Sequence, residues 1–232
     1  METKKIDVYE FDERFYQRIV DGEIVCRPSV TYKLGLAAPT PFGLMQWRGE
    51  VGNQRAAEIL REAGDFGSYI HDAIDKLIKG GKVSSDQFRV FSPRQSLRAL
   101  KCMQGFCEWV EEYKPKFLAN EYIIWNDEYN YAGTVDLKCE IDGEVMIVDF
   151  KTSKTVQDKH RMQIAAYAHA DSVQKAAILH LGNTTKKGWS FLPVKDLPKS
   201  WEKFKAVNNV FEVHNPNVKP NTQVFPEYFK LG

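Results

Sequence analysis

The chain has 232 residues, 43% of them hydrophobic and 27% charged, the make-up of a globular protein able to bury a core without disulfides or metals, which excludes disorder, collagen-like repeats and coiled coil as its main state. No apolar run approaches the ~20 residues of a bilayer span, and the opening METKKIDVYEFDERF has no apolar leader core, so no membrane association and a cytoplasmic location are expected. Net charge is +1, but residues 1–150 carry 19 Lys and Arg against 25 Asp and Glu while residues 151–232 carry 13 against 6, so the basic C-terminal third is either a solvated surface or a face for a polyanion.

In chain order, the polar and aromatic stretch 1–27, with Tyr9, Phe11, Phe15 and Tyr16, predicts a strand and turn, and Pro28-Ser29-Val30-Thr31 opens a new element. After the break at Pro39-Thr40-Pro41, helical spacing of Leu44, Trp47, Val51, Ala56, Ile59 and Leu60 predicts a helix over 43–64. A second helix is expected over 66–79, ended by Gly80-Gly81, and a third over 96–113, stopped near Pro115. The period then changes to two. Strands are expected over 117–125, 131–141 and 145–151, the last two joined by the hairpin turn Asp142-Gly143. Val135, Leu137, Cys139 and Ile141 should share one face, with Asp136 on the other. A small-residue helix over 158–171, strands over 175–181 and 189–194, a helix over 200–213 and a tail complete the chain. This order predicts an α/β (α+β) fold: a mixed central sheet flanked by helices, with an N-terminal helical segment. One domain is expected, mainly helical over 1–115, with a core over 116–195 and a C-terminal helix and tail over 196–232. The four cysteines, Cys26, Cys102, Cys107 and Cys139, form no CxxC pair and are expected as reduced thiols.

The chemistry gathers around Asp149-Phe150-Lys151. Side chains alternate along a strand, so Asp149 and Lys151 share a face with Val145 and Ile147. Two charges there must be paired with each other or bound to a metal. Asp136 lies on the neighbouring strand, where the two carboxylates can converge. Acids with no arginine between them suit a hard divalent cation; an acid satisfied within the core is the alternative. His71 sits beside the apolar stripe of its helix, as a hydrogen-bonded core residue or a ligand. Asp75, one turn on, either orients the ring or is a surface acid. Gln163 and Tyr167, at i and i+4, share a helix face. Trp125, Trp189 and Phe191 are candidates for base stacking or for core packing.

Together, His71 in GSYIH, Asp136 in GTVD, Asp149 and Lys151 in DFKTSK, and Gln163 with Tyr167 in QIAAYAHA resemble the RecB-type branch of the PD-(D/E)XK nuclease superfamily. PSVTYKLG and Trp47 extend the resemblance to phage exonucleases and the mitochondrial genome maintenance exonuclease group, over residues 28–194. The resemblance implies a restriction-endonuclease-like core and metal-dependent DNA cleavage, acting on ends or single strands in recombination, repair or degradation, in a bacterial or phage-infected cytoplasm. It implies Mg²⁺ or Mn²⁺ on His71, Asp136, Asp149 and the Phe150 carbonyl, Lys151 as the catalytic lysine, Gln163 and Tyr167 beside it, and Glu121 for a second metal. Thr152, Ser153 and Lys154, just after the strand, are candidates to hold neighbouring phosphates, and Lys159, Arg161, Lys186 and Lys187 are either part of a DNA track or solvated surface residues. The last cysteine is Cys139, so no C-terminal cluster of cysteines exists to hold an iron–sulfur cluster. No helicase motif is present, so a helicase, or a single-strand-binding or annealing protein, is a candidate partner. Two rivals remain at this point: a catalytically inactive nucleic-acid-binding module of the same fold, and a metal enzyme acting on another phosphate ester.

Overall fold

A computed structural model describes residues 3–8 and 13–220; Tyr9, Phe11 and the tail from residue 221 lie outside the described residues. The N-terminal stretch forms three antiparallel strands, β1 (Thr3–Val8), β2 (Glu13–Val20) and β3 (Glu23–Pro28), turned at Asp21-Gly22. Helix α1 (Val30–Ala37) follows, its first turn capped by the Ser29 hydroxyl.

The next two helices divide differently from the spacing-based expectation. Helix α2 (Phe42–Val51) ends at Gly52, whose φ of 83° only glycine adopts freely, and α3 (Asn53–Ile78) then runs unbroken through Gly64-Asp65. The expected break at residue 65 is therefore wrong. A glycine interrupts a helix only where its dihedrals leave the helical region, and Gly64 keeps them. Ser85–Val90 forms a 3₁₀ turn, and α4 (Pro93–Tyr113) is capped by Ser92 with proline in its first turn.

The second sheet has five strands in sequence order: β4 (Lys116–Asn126), β5 (Tyr131–Ile141), β6 (Glu144–Lys151), β7 (Ala176–Leu181) and β8 (Trp189–Pro193). All pairs are antiparallel except β6 with β7, which run parallel because α5 (Asp158–Ala170) makes the crossover. Helix α6 (Leu197–His214) closes the fold. The mixed sheet flanked by helices is the expected fold class.

Each face of the sheet carries a core. Leu137, Cys139, Ile141, Val148, Phe150 and Leu179 pack under α3 and α4 with Ile70, Ile74, Phe106 and Trp109. Ile147, Val135 and Ala176 pack under α1, α5 and α6 with Leu34, Ile164 and Phe204. Val135 thus falls in the opposite core from Leu137, which corrects the expected common face. The β5–β6 ladder ends at Leu137 opposite Val148, and beyond that pair the side chains of β5 change sides.

The small N-terminal sheet is tied to the large one by specific contacts. Ser29 bridges Ala132, Tyr16 Oη is 2.9 Å from Thr134 Oγ1, and Arg18 and Arg27 both pair with Asp127 and lie over the Trp125 ring. Lys33 has no exposed surface and reaches Asn208 Oδ1 at 2.6 Å, the Tyr129 carbonyl at 3.2 Å and the Glu212 carboxylate, joining α1 to α6.

Candidate metal centre

The site lies where β6 loses its neighbour. Past Val148, no residue of β5 pairs with β6. In a strand, the N–H and C=O of one residue point the same way, so both polar groups of Phe150 face this gap. Side chains satisfy them in place of a strand. Phe150 N–H donates to Asp136 Oδ2 at 2.6 Å, and His71 Nε2–H donates to the Phe150 carbonyl at 3.1 Å. His71 Nδ1 is 3.4 Å from Asp136 Oδ1. His71, Asp136 and Phe150, all expected as metal ligands, therefore meet around the backbone of Phe150.

His71 reaches this point because α3 comes close to the end of β6. One turn earlier, Gly67 presents no side chain, and a Cβ there would sit 3.4 Å from Thr152 Oγ1. Asp75 does not orient the ring. It accepts a hydrogen bond from Asn120 and pairs with Lys79 at 2.7 Å, and the Phe150 carbonyl and Asp136 take the orienting role.

Glu121 joins from β4. Its φ of 45° places a non-glycine residue in the left-handed region within a strand, a strained conformation typical of functional sites. One donor atom from each of His71, Glu121 and Asp136 lies within 4.8 Å of the others. One imidazole and two carboxylates are compatible with a divalent metal, and cis ligands at bond lengths of ~2.1 Å stand ~3 Å apart. The resemblance assigned Glu121 to a second ion, whereas here its carboxylate keeps company with His71 and Asp136.

Asp149 is buried beside this group. Lys151 Nζ lies 2.9 Å from Oδ1 and 2.7 Å from Oδ2, but only Oδ1 is aligned to accept, leaving Oδ2 without a hydrogen bond among the described residues. That oxygen faces the Lys151 ammonium, and the group compatible with a divalent ion is His71, Glu121 and Asp136, with Asp149 alongside it and not part of it.

The electrostatics divide the acids. Burial pushes Asp136 up, but His71, Lys151 and the Phe150 N–H together hold it below the usual carboxylate range. Burial opposes protonation of His71, yet Asp136 raises its pKa above the ordinary value. Burial lifts Asp149 to about 6, with Lys151 opposing and Asp136 adding to the rise. Glu121 is exposed at the mouth, yet protein surrounds much of its carboxylate. That desolvation, with Asp136, Asp75 and Asp72 as like charges, lifts it to about 7 while His71 opposes.

Gln163 Nε2 donates to Tyr167 Oη at 3.0 Å. Tyr167 is buried across Gly133, where a Cβ would stand 2.5 Å from Tyr167 Cε1, so the glycine of GTVD makes room for the ring. Burial, with Tyr16 and Asp149 nearby, drives the Tyr167 pKa well above its ordinary value, so the phenol stays protonated.

Residues singled out for DNA contact fall into several settings. Thr152 is buried, and Ser153 Oγ donates to the Thr155 carbonyl at 2.9 Å. Lys154 and Lys159 are exposed and Arg161 is half-buried; none has an acidic partner among the described residues. Partial burial, Lys151 and Arg48 lower the Lys159 pKa, so positive charge continues outward from the site. Lys186 is exposed on the turn before β8, and Lys187 pairs with Glu112 and lies over Trp189. Of the aromatic candidates, Trp189 is buried, Phe191 packs on Trp109 and Tyr113, and Trp125 is covered by Arg18. All three serve packing here.

Sequence reasoning passed over His160, buried at the start of α5, where Nδ1 accepts from the Gln157 N–H at 3.2 Å. Burial, and then the Lys151 and Lys159 charges, push it down to about 3. It also passed over His180 and Arg98, which touch the segment after Lys151. Their spacing carries no signal, because the contacts join residues 27 and 54 positions apart.

No family model and no curated protein matches the chain. Among solved structures, it is similar to an exonuclease candidate from Eubacterium rectale, with 13% identity and a TM-score of 0.45, over 71% of this chain and 77% of the other. It is also similar to the protein SSO0001, with 14% identity and a TM-score of 0.33, over 57% of this chain and 66% of the other. Among the described residues, no helix is long and apolar enough to cross a membrane.

Proposed function

We propose that this chain is a metal-dependent DNA nuclease of the RecB type, an exonuclease acting on DNA ends or single strands, with all 232 residues forming one catalytic unit. The observation that carries the reading is the meeting of His71, Asp136 and the Phe150 peptide, with Glu121 at the mouth and the Asp149–Lys151 pair alongside. His71, Asp136, Asp149, the Phe150 carbonyl and Glu121 would hold Mg²⁺ or Mn²⁺. Such an ion neutralises phosphate charge and lowers the pKa of its water.

The chain's own residues supply the rest. Asp136 holds His71 and the Phe150 N–H in place. Lys151, its ammonium anchored on Asp149, stabilises the charge that develops on the phosphoryl oxygens or positions the attacking water. Tyr167, kept protonated and held by Gln163, offers a neutral hydroxyl at the edge of the site. Lys154, Lys159 and Arg161, free of acidic partners among the described residues, take phosphates of the flanking strand, with binding that weakens as salt rises. Lys186 extends this track, and Lys187 joins it once released from Glu112. Strand separation falls to a partner protein.

The test is digestion of end-labelled linear, circular and single-stranded DNA with Mg²⁺, Mn²⁺, Ca²⁺ or chelator. Cleavage from ends that needs Mg²⁺ or Mn²⁺ and stops with chelator is expected, with Ca²⁺ supporting binding alone. Cleavage that survives chelation overturns the mechanism, and DNA binding without cleavage by either metal replaces it with a non-catalytic binding module.

A further inference from the structure

Residues 152–157 join β6 to α5 with neither strand nor helix. They leave directly from Lys151 and lead to the helix that carries Gln163 and Tyr167. Two side chains from elsewhere in the fold hold the start of this connection. Arg98 reaches in from α4 with its guanidinium carbon 4.5 Å over the Phe66 ring and donates to the Thr152 carbonyl. Its stem passes Gly182, where an added Cβ would stand 3.6 Å from Arg98 Cγ. His180, opposite Lys151 in the parallel ladder, donates from Nε2 to the Ser153 carbonyl at 2.6 Å. Thr152 itself is buried against Gly67, one turn from His71.

Arg98 has no carboxylate partner among the described residues. A half-buried guanidinium without one is costly unless its hydrogen bonds are used, and the bond it makes here is to the carbonyl of Thr152, the residue after Lys151. Fixing the carbonyls of Thr152 and Ser153 fixes the Thr152–Ser153 and Ser153–Lys154 peptide planes, directly downstream of Lys151. Without them the connection can relax, and the Lys151 ammonium loses its set position on Asp149.

We propose that Arg98 and His180 are positioning residues for Lys151, holding the two carbonyls that follow it so that its ammonium stays registered on Asp149. The inference rests on the nuclease reading for its catalytic consequence, while the registration itself is independent of it. A displacement of about 1 Å in a reacting group is enough for losses of about a hundredfold.

The experiment compares the full-length wild type with Arg98→Met, Arg98→Lys and His180→Ala. Three quantities are read: kcat and KM on linear DNA with Mg²⁺, the rate of reductive methylation of Lys151 in chelator by mass spectrometry, and the thermal midpoint. Arg98→Met is expected to lower kcat about ten- to a hundredfold with KM within about twofold, and to speed Lys151 methylation several-fold. Arg98→Lys, which keeps a donor, should recover most of both, and His180→Ala should show a smaller loss of the same kind. Wild-type kcat and wild-type Lys151 methylation in Arg98→Met overturn the inference. So does a loss of kcat that follows loss of folded protein, is not rescued by lysine and leaves Lys151 methylation unchanged. A wild-type chain that cuts no DNA overturns the nuclease reading instead, and the methylation rates still decide the positioning role.

Discussion

His71 and Phe150, 79 positions apart, meet at 3.1 Å through the imidazole Nε2 and the main-chain carbonyl. That contact stands where a strand hydrogen bond would be, because β5 and β6 part after Leu137 and Val148. The vacated edge of β6 is completed by Asp136 and His71, so the groups that finish the sheet are among those proposed to hold a cation.

Lys151 is the most direct test of chemistry against structure. Lys151→Ala should reduce cleavage below detection while leaving DNA affinity in Ca²⁺ within a few fold of wild type, since the flanking lysines and Arg161 remain. Wild-type turnover would return Lys151 to a structural ion pair with Asp149. Steady-state digestion and a fluorescence anisotropy titration make the two measurements.

Glu121 carries a pH signature. Its pKa rises from an ordinary 4.5 to about 7 in the folded chain, so the folded state binds this proton more tightly than the unfolded state. The stability it contributes is full below about pH 4 and is lost as pH rises through about 7. Asp149, lifted to about 6, acts in the same sense. In chelator, Glu121→Gln should therefore melt higher than wild type at pH 8, with the gap closing by pH 5. Thermal melts across that range decide it, and an equal gap at both values would contradict the assignment.

Gly133 tests the wall of the site. Gly133→Ala would put a Cβ 2.5 Å from Tyr167 Cε1, closer than any real contact. The ring must move and its bond to Gln163 must loosen. A loss of about 1–3 kcal/mol in urea unfolding is expected, the range for overpacking, together with reduced activity.

Lys33 tests the attachment of α1 to α6. Burial lowers its pKa, and Glu212 partly restores it. Lys33→Ala leaves Asn208 and Glu212 without their cation. Glu212 is 36% exposed, so water recovers part of the cost, and a loss of about 3 kcal/mol is expected, at the low end for a broken buried pair. Adding Glu212→Gln should cost less than the sum of the two single changes, which urea unfolding of the four proteins would measure.

Residues near one another in the chain determined much of this protein. Alternation placed β5 over Tyr131–Ile141, Asp142-Gly143 marked its turn into β6, and period two put Lys151 on the same face as Asp149, where the two now pair. These follow from backbone geometry that a few neighbouring residues dictate. Other features needed the whole chain. Gly52 breaks the helices and Gly64 does not, so the residue type alone does not say which glycine leaves the helical region. Val135 lies in the opposite core from Leu137, past the end of the β5–β6 ladder, where strict alternation along β5 would have kept the two together. Glu121 turns left-handed in mid-strand, Lys33 is buried by α6, and Arg98 reaches the Thr152 carbonyl. Local periodicity sets which face a side chain takes, and only the packing of distant elements decides what stands opposite it.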